Sequence, residues 1–321
     1  MDIPLYNCFS DLSVLDYLAL LWPDRSQRTL KGLFQSNAIR SARQPVSPHA
    51  SVGRLRDLNL VGSLEEIPTI YADDTMSLEI DILFEDADLV VLSKTSGVPV
   101  VPDRDQARAS CLEFLVRREL KERNSKPPEE FVRPRIVHRL DRLTSGLVLV
   151  AKTAAAERQF SADFGSHQIT KEYFALLQGT VEPALVTVDC PIGPGRKGKV
   201  RAVPATPKLH GPRAPKESTT VFEVIERFRQ VTLVRARPLT GRTHQIRVHA
   251  WAIGYPLAID PLYRVGKFAA ETVDLPGIDR VPLHAHRYTL PEAWGEPRSF
   301  ACPLAPDFAA SLTALRSEGT A

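Results

Sequence analysis

No Cys-x-x-Cys pair occurs in this chain, and its four cysteines, Cys8, Cys111, Cys190 and Cys302, stand far apart among 321 residues. That spacing argues against a disulfide frame and a structural zinc site, and for reduced thiols in a cytoplasmic protein. Long apolar runs are equally scarce. The opening "MDIPLYNCFSD" has no basic region leading into an apolar stretch. The greasiest early segment, Leu12 to Trp22, is only 11 residues long and contains Asp16, well short of the ~20 residues that span a bilayer. Neither a signal peptide nor a membrane span is expected. Also missing are a phosphate-binding glycine loop, a dinucleotide glycine fingerprint, a His-Glu-x-x-His helix and any internal repeat, so no cofactor and no metal are expected.

What the chain does have is ordinary globular material, 43% apolar, at a length that suggests about two domains. Its net charge of +3 conceals a segregated pattern. Between Pro23 and Arg56 seven basic residues (Arg25, Arg28, Lys31, Arg40, Arg43, Arg54, Arg56) meet one acidic residue, Asp24; from Asp57 to Ser93 ten acidic residues occur with no Lys or Arg. A second basic run, Cys190 to Lys216, has seven Lys or Arg, no acid, six prolines and four glycines. That composition predicts a poorly packed loop, either solvated or in contact with a polyanion. The expected division is a basic module over 1–60, an acidic linker over 61–80 and a larger domain over 81–321.

Periodicity supplies the elements. Leu15, Leu18 and Leu21 predict one short helix, and Leu30, Leu33 and Phe34, behind a Ser26 cap, predict a second. From Asp81 onward strand-length runs dominate: "ILFEDADLVVLSK", "GLVLVAKT", "KEYFALLQGT", "TTVFEVIERF" and "VTLVRARPLTG". Helices interleave, one capped by Thr153 over Ala154 to Phe164 and ending at Gly165, another capped by Thr243, running through Ile253 and stopping at Gly254. The fold class is α+β, mixed, with a mainly antiparallel sheet.

Three stretches carry chemistry. In "VHRLDRLTSGLVLVAKT" Asp141 stands between Arg139 and Arg142 at the mouth of an apolar strand. There a rigid element presents an exposed group, and the arginines favour a carboxylate held as an anion, as a nucleophile or charge partner requires. From spacing alone a surface ion pair of Asp141 with Arg139 or Arg142 is the commoner arrangement, since Arg-x-Asp-Arg clusters are frequent on surfaces. In "LTGRTHQIRVHAWAIGYPLAIDPLY" the predicted helix puts His244, Arg247, Val248 and Trp251 on one face, so Arg247 can enter a cleft. His244 and His249 diverge by roughly 140° around that helix, which rules them out as a ligand pair. In "KEYFALLQG" strand alternation sets Lys171, Tyr173 and Ala175 on one side, where Tyr173 is either core or a ring on which a flipped base stacks.

Together and in this order, "HRLDRLTSGLVLVAKT", "KEYFALLQG" and "GRTHQIRVHAWAIGYPLAIDPLY" resemble the signature blocks of the RluA-type pseudouridine synthases. The similarity runs from about Ile82 to Phe308. It includes "ILFEDADLVVLSKTSGVPVVP" at the start and "LHAHRYTLPEAW" at the end. The resemblance implies the pseudouridine synthase fold, a catalytic Asp141, an Arg139 that holds or replaces the flipped base, a Tyr173 stacked on the target uracil, and an Arg247 against the catalytic carboxylate. Lys171, Arg242 and His244 are then candidate RNA contacts. The chain departs from the family at Lys94-Thr95-Ser96-Gly97, where Lys-Pro-x-Gly is usual, at Ile259-Asp260 in place of Gly-Asp, and at Arg264 in place of Gly. The basic N-terminal segment resembles an S4 RNA-binding module, with Arg25, Arg28 and Lys31 as candidate contacts, but "SNAIRSARQPVS" lacks the usual glycine and Asn-Gly turn.

The implied reaction breaks the N1 to C1′ bond of a uridine, turns the uracil and joins C5 to C1′, consuming neither electrons nor phosphate. The expected substrate is large-subunit ribosomal RNA, with transfer RNA second, and the expected state is a cytoplasmic monomer. A non-catalytic RNA-binding protein would share the basic segments but would not need Asp141, Tyr173 and Arg247 together. A zinc deaminase would need the His-x-Glu and Pro-Cys-x-x-Cys set that is absent.

Overall fold

A computed structural model describes residues 2, 3, 5, 12–22, 27–62, 80–101, 111–123, 134–195, 200–203, 214–264, 273, 275–294 and 298–318. Arg25, the Ser26 cap and nearly all of the acidic linker lie outside the described residues. The chain forms two compact units: one of residues 1–90, 98–139 and 150–157, the other of 91–97, 140–149 and 158–321.

The first unit begins with α1 (Val14–Leu21), which Ser13 caps by accepting from the Asp16 amide, and α2 (Gln27–Gln35). Leu15 and Leu18 of α1 and Leu30 of α2 are buried, while Leu33 and Phe34 are half-buried. A three-stranded antiparallel sheet follows, made of β1 (Ile39–Ser41), β2 (Gln44–Pro45) and β3 (Asn59–Leu60) in the order β2-β1-β3. The turn that lacks a glycine is made by Ala42 and Arg43, at φ 47° and 65°. Asp57 braces it, accepting from the Ala42 amide at 2.8 Å and the Ser41 hydroxyl at 2.9 Å. Such local bonds offset the cost of a left-handed residue with a Cβ, about 1–2 kcal/mol each. Later parts of this unit are β4 (Asp81–Glu85), the start of β5 (Leu89–Lys94), α3 (Leu112–Arg123) and β6 (Arg135–Ile136), which pairs antiparallel with the end of β7 (Ser145–Ala151).

The second unit is built on a sheet in the order β5-β7-β14-β8-β13-β12-β9, with β15 (Ser299–Ala301) paired to β14. The strands are β8 (Thr170–Gln178), β9 (Leu185–Asp189), β12 (Thr219–Arg227), β13 (Val231–Pro238) and β14 (Leu283–Thr289). Every pairing from β14 through β8, β13 and β12 to β9 is antiparallel, and β7 lies parallel to β14. The mixed, mainly antiparallel α+β reading is therefore correct. All seven residues of β7 are buried, which is why its sequence is a continuous apolar run with no alternation. Helix α4 (Ala154–Gly165) starts where Thr153 accepts from the Ala156 amide, as expected. Helix α6 (Pro306–Ser317) buries Phe308, Leu312 and Leu315 against Leu176, Phe228 and Leu233. Each such side chain contributes about 1.5–3 kcal/mol.

Two expectations are corrected. Helix α5 (Gln245–Ala252) is not capped by Thr243: His244 occupies the N-cap position, left-handed at φ 54°, with no side-chain cap. Gln245 organises the entry instead. Its carbonyl oxygen accepts from the Thr240 hydroxyl at 2.6 Å and the Arg242 amide at 3.0 Å, and its amide donates to Thr219 and Thr220 on β12. His244 thus lies outside the helical face it was expected to share with Arg247. The basic proline-rich run also packs in part, since β10 (Ile192–Pro194) and β11 (Val200–Ala202) form a hairpin.

The parallel contact between β7 and β14 is exceptionally tight. Gly146 stands at φ +113°, and a Cβ there would meet the Ala285 carbonyl oxygen at 2.2 Å. Gly146→Ala is expected to cost about 3 kcal/mol or more, above the usual range for single substitutions; urea unfolding measures it. One residue away, His284 is buried with Nδ1 3.0 Å from the Ser145 hydroxyl, and burial pulls its pKa down to about 4. The unfolded chain takes up that proton near 6.5, so this contribution is whole above 6.5 and is lost as pH falls towards 4. Thermal midpoints should fall through that window, and less steeply in His284→Gln.

Candidate active site

Asp141 sits in the turn that feeds β7. The end of β5 and the segment after it hold that turn from one side: Lys94 Nζ donates to the carbonyl oxygens of Thr95 at 2.9 Å and Arg142 at 3.1 Å, the Ser96 hydroxyl donates to Leu143 O at 2.9 Å, and the Gly97 amide donates to Arg142 O at 2.8 Å. The turn closes on itself where the Thr144 amide donates to Asp141 O at 3.0 Å. The carboxylate of a half-exposed residue is therefore carried on a backbone fixed from two directions. Lys94 is 2% exposed. Burial lowers its pKa to about 7, against a raising effect of the Asp141 charge and a further lowering one of Arg280.

From the other side comes Arg247, on the buried first turn of α5 and 3% exposed. Its Nε and Nη2 donate to the two oxygens of Asp260 at 2.7 and 2.8 Å, and its Nη1 donates to Asp141 Oδ2 at 3.2 Å. Asp260 is fully buried and also accepts from the amides of Leu262 at 2.8 Å and Tyr263 at 3.2 Å. Burial works against the charge on Arg247, but the hydrogen bonds and charge of Asp260, followed by those of Asp141, outweigh it and raise its pKa. The Arg247 guanidinium carbon also lies 5.2 Å from the centre of the Tyr263 ring, a cation–π distance.

His244 Nδ1 is 2.8 Å from the Tyr263 hydroxyl, and its Nε2 is 3.9 Å from Asp141 Oδ2. The Val200 amide donates to the same hydroxyl at 3.3 Å. All three groups are satisfied when Tyr263 donates to Nδ1, which leaves the ring hydrogen on Nε2, facing Asp141. Burial lowers the pKa of His244 below its ordinary value, partly countered by Asp141.

Tyr173 lies on β8, opposite Ala236 of β13 and Ala285 of β14. It is 8% exposed, its hydroxyl is 2.9 Å from that of Tyr288, and burial pushes its pKa up to about 12. It stays a neutral phenol. Lys171 shares its face of the strand as expected, but its Nζ donates to Thr240 O at 3.0 Å and burial lowers its pKa to about 8. That bond pins the loop that carries Arg242, whose Nε donates to Glu217 O at 3.1 Å.

The structure thus brings Asp141, Arg247 and His244 together, and the charge of Asp141 acts on Tyr173. The partner found for Asp141 is Arg247, 106 residues further along. Arg139 and Arg142 are exposed, and so is Lys31 on α2. Arg28 lies on the same helix, with its side chain not described. Sequence reasoning gave no role to Lys94, Asp260 or Tyr263. The available signal was Asp260 with Tyr263 three residues on, an acid and a ring fixed next to a helix that carries an arginine.

Residues 88–252, just over half of the chain, match the family model described as RNA pseudouridylate synthase. The chain belongs to the RNA pseudouridylate synthase family. A ribosomal large subunit pseudouridine synthase C from Vibrio parahaemolyticus is 37% identical over 218 residues, 68% of this chain and 63% of that relative, so less than two thirds of the relative is matched. A ribosomal large subunit pseudouridine synthase D from Pseudomonas aeruginosa is 32% identical over 314 residues, covering 95% of this chain and 92% of that one. Among solved structures, human RNA pseudouridylate synthase domain containing 1 matches with a TM-score of 0.56 and 26% identity, over 76% of this chain and 97% of that one. For this pseudouridylate synthase family member, Asp260→Asn should leave the Arg247 charge poorly compensated in a buried site. The expected loss is about 3–5 kcal/mol of stability, read by denaturant unfolding at pH 7.

Proposed function

We propose that this protein isomerises uridine to pseudouridine in large-subunit ribosomal RNA, with Asp141 as its catalytic group. The observation that carries the reading is Asp141 itself: a carboxylate on a braced turn, touched by a guanidinium that a second carboxylate holds in place. The names of the Vibrio and Pseudomonas relatives, both ribosomal large subunit pseudouridine synthases, support ribosomal RNA as the substrate class. Transfer RNA is the second candidate.

The reaction breaks the bond from N1 to C1′, turns the uracil, forms the bond from C5 to C1′ and releases the C5 proton to water. Two routes fit one carboxylate beside the sugar. In one, an Asp141 oxygen attacks C1′ and is displaced when C5 returns; in the other, it removes the C2′ proton to give a glycal and returns it later. Either way the detached uracil carries negative charge, and Arg247, charged at any working pH, offsets that charge in a site shielded from water. The target base must first leave its stack at a cost of a few kcal/mol. Tyr173 would receive it face on, an interaction worth about 1–3 kcal/mol per base, while exposed Arg139 fills or holds the vacated position.

The N-terminal module, with exposed Lys31, Arg43, Arg54 and Arg56, would act as an S4-like clamp on phosphates, together with Arg25, Arg28 and the basic run before Lys216. The protein would work as a cytoplasmic monomer, in keeping with Cys111, Cys190 and Cys302 all being free thiols.

The test uses ribosomal and transfer RNA labelled with tritium at uracil C5, because forming the new bond expels that label. Release from ribosomal RNA is expected, reduced roughly a thousandfold or more in Asp141→Ala, which should still bind RNA. Tyr173→Ala should lower kcat/KM by about ten- to a hundredfold, as loss of one stack predicts. RNA that binds without label release from either class would sink the catalytic reading in favour of a binding protein.

A further inference from the structure

Within the second unit a cleft of about 770 Å³ opens beside the catalytic frame, inside the range of roughly 300–1,000 Å³ typical of small-ligand sites. Its walls back onto that frame. Leu143 lies two residues after Asp141, and Ile259 and Pro261 flank the Asp260 that holds Arg247. Val281, Ala305 and Pro306 complete a largely apolar lining, while Thr95 and Asp279 are exposed polar residues of the same cleft.

Two cations line the cleft, and they differ. Arg280 is committed to Asp307 through a pair of hydrogen bonds at 2.5 and 2.7 Å. Arg264 is tethered only through Nε, which donates to Asp260 O at 2.9 Å. Among the described residues its two terminal nitrogens take no partner, although the side chain is held in place. Exposed Arg264, anchored at one end and open at the other over an apolar floor with Asp279 nearby, matches the parts of a nucleotide: a phosphate for the arginine, a flat ring for the floor and a ring amine for Asp279.

We propose that this cleft holds one unstacked nucleotide flanking the target uridine, with Arg264 on its phosphate, so that Arg264 is a substrate-positioning residue. The inference rests on the proposed function, since it takes RNA as the occupant. The cleft shares the Asp141 turn through Leu143 and the Asp260 loop through Ile259 and Pro261, so a strand whose target base enters beside Asp141 can lay a neighbouring nucleotide here. Arg264 joins the two sites through the Asp260 backbone.

The experiment compares wild type, Arg264→Gln, Arg264→Lys and Thr95→Trp, the last filling the cleft from its exposed rim. Substrates are a ribosomal RNA fragment and versions with a single abasic site at each position flanking the target. Arg264→Gln should raise KM about tenfold, change kcat less than about threefold and lower the salt slope of binding by about one phosphate. Arg264→Lys should recover most of the KM. One flanking abasic position should weaken binding by wild type yet add nothing to the defect of Thr95→Trp. A merely structural tether on Asp260 would instead act through Arg247 on kcat and leave the salt slope alone, and that result would overturn the proposal. So would an unchanged KM in Arg264→Gln, or no sensitive flanking position. If wild type itself releases no label, the proposed function has failed first and this inference falls with it, whatever the variants show.

Discussion

A single guanidinium holds two parts of the second unit in register. Arg247 places three donor nitrogens on two carboxylates, one from the loop after α5 and one from the turn before β7. Removing a partner from such a buried arrangement costs more than never having built it, so the loop around Asp260 and the turn around Asp141 are each constrained by a residue that belongs to neither. The remaining polar groups reinforce this. Lys94, Ser96 and Gly97 bind the carbonyls that follow Asp141, and Gln245 locks the start of the helix on which Arg247 rides.

The two carboxylates share that guanidinium but divide the work. Asp260 accepts four hydrogen bonds and is fully buried, so its capacity is spent on structure. Asp141 accepts one from Arg247 and keeps its side chain 23% exposed. An oxygen with lone pairs to spare at a fixed position is what an attack on a sugar carbon or the removal of its proton requires. The environment, and not the residue type, separates a strut from a reagent.

Much of this is legible in the chain itself. The burial of β7 on both faces writes itself as an uninterrupted apolar run, and the alternation of β8 places Lys171 and Tyr173 on one face. Thr153 announces α4 because a cap is a local bond between a side chain and an amide three residues on. What stays hidden is non-local. Nothing within ten residues of Asp141 indicates that its partner is Arg247 and not Arg139 or Arg142, because the pairing depends on how the sheet returns the chain. The start of α5 departs from its residue types for the same reason: Thr243 is a good cap by type, but Gln245 reaches across to β12 and pulls His244 into the left-handed conformation at the cap position. The Ala42-Arg43 turn, unpromising by residue type, forms because Asp57 supports it.

His244 shows how such a departure becomes useful. A left-handed residue at a helix start costs about 1–2 kcal/mol when it bears a Cβ, and it projects its side chain away from the helical face. Here that sends the imidazole to the Tyr263 hydroxyl on one edge and Asp141 on the other. Had Thr243 capped a helix beginning one residue earlier, His244 would have turned with the helix, and the face carrying Arg247 would have lacked this neighbour. The hydrogen on Nε2 then faces the carboxylate across 3.9 Å, too long for a direct bond, so a substrate hydroxyl that engages both must bridge them from the side. The strain of the entry, the tautomer of the ring and the gap above Asp141 are thus consequences of one backbone choice, which Gln245 enforces from the far side of the loop.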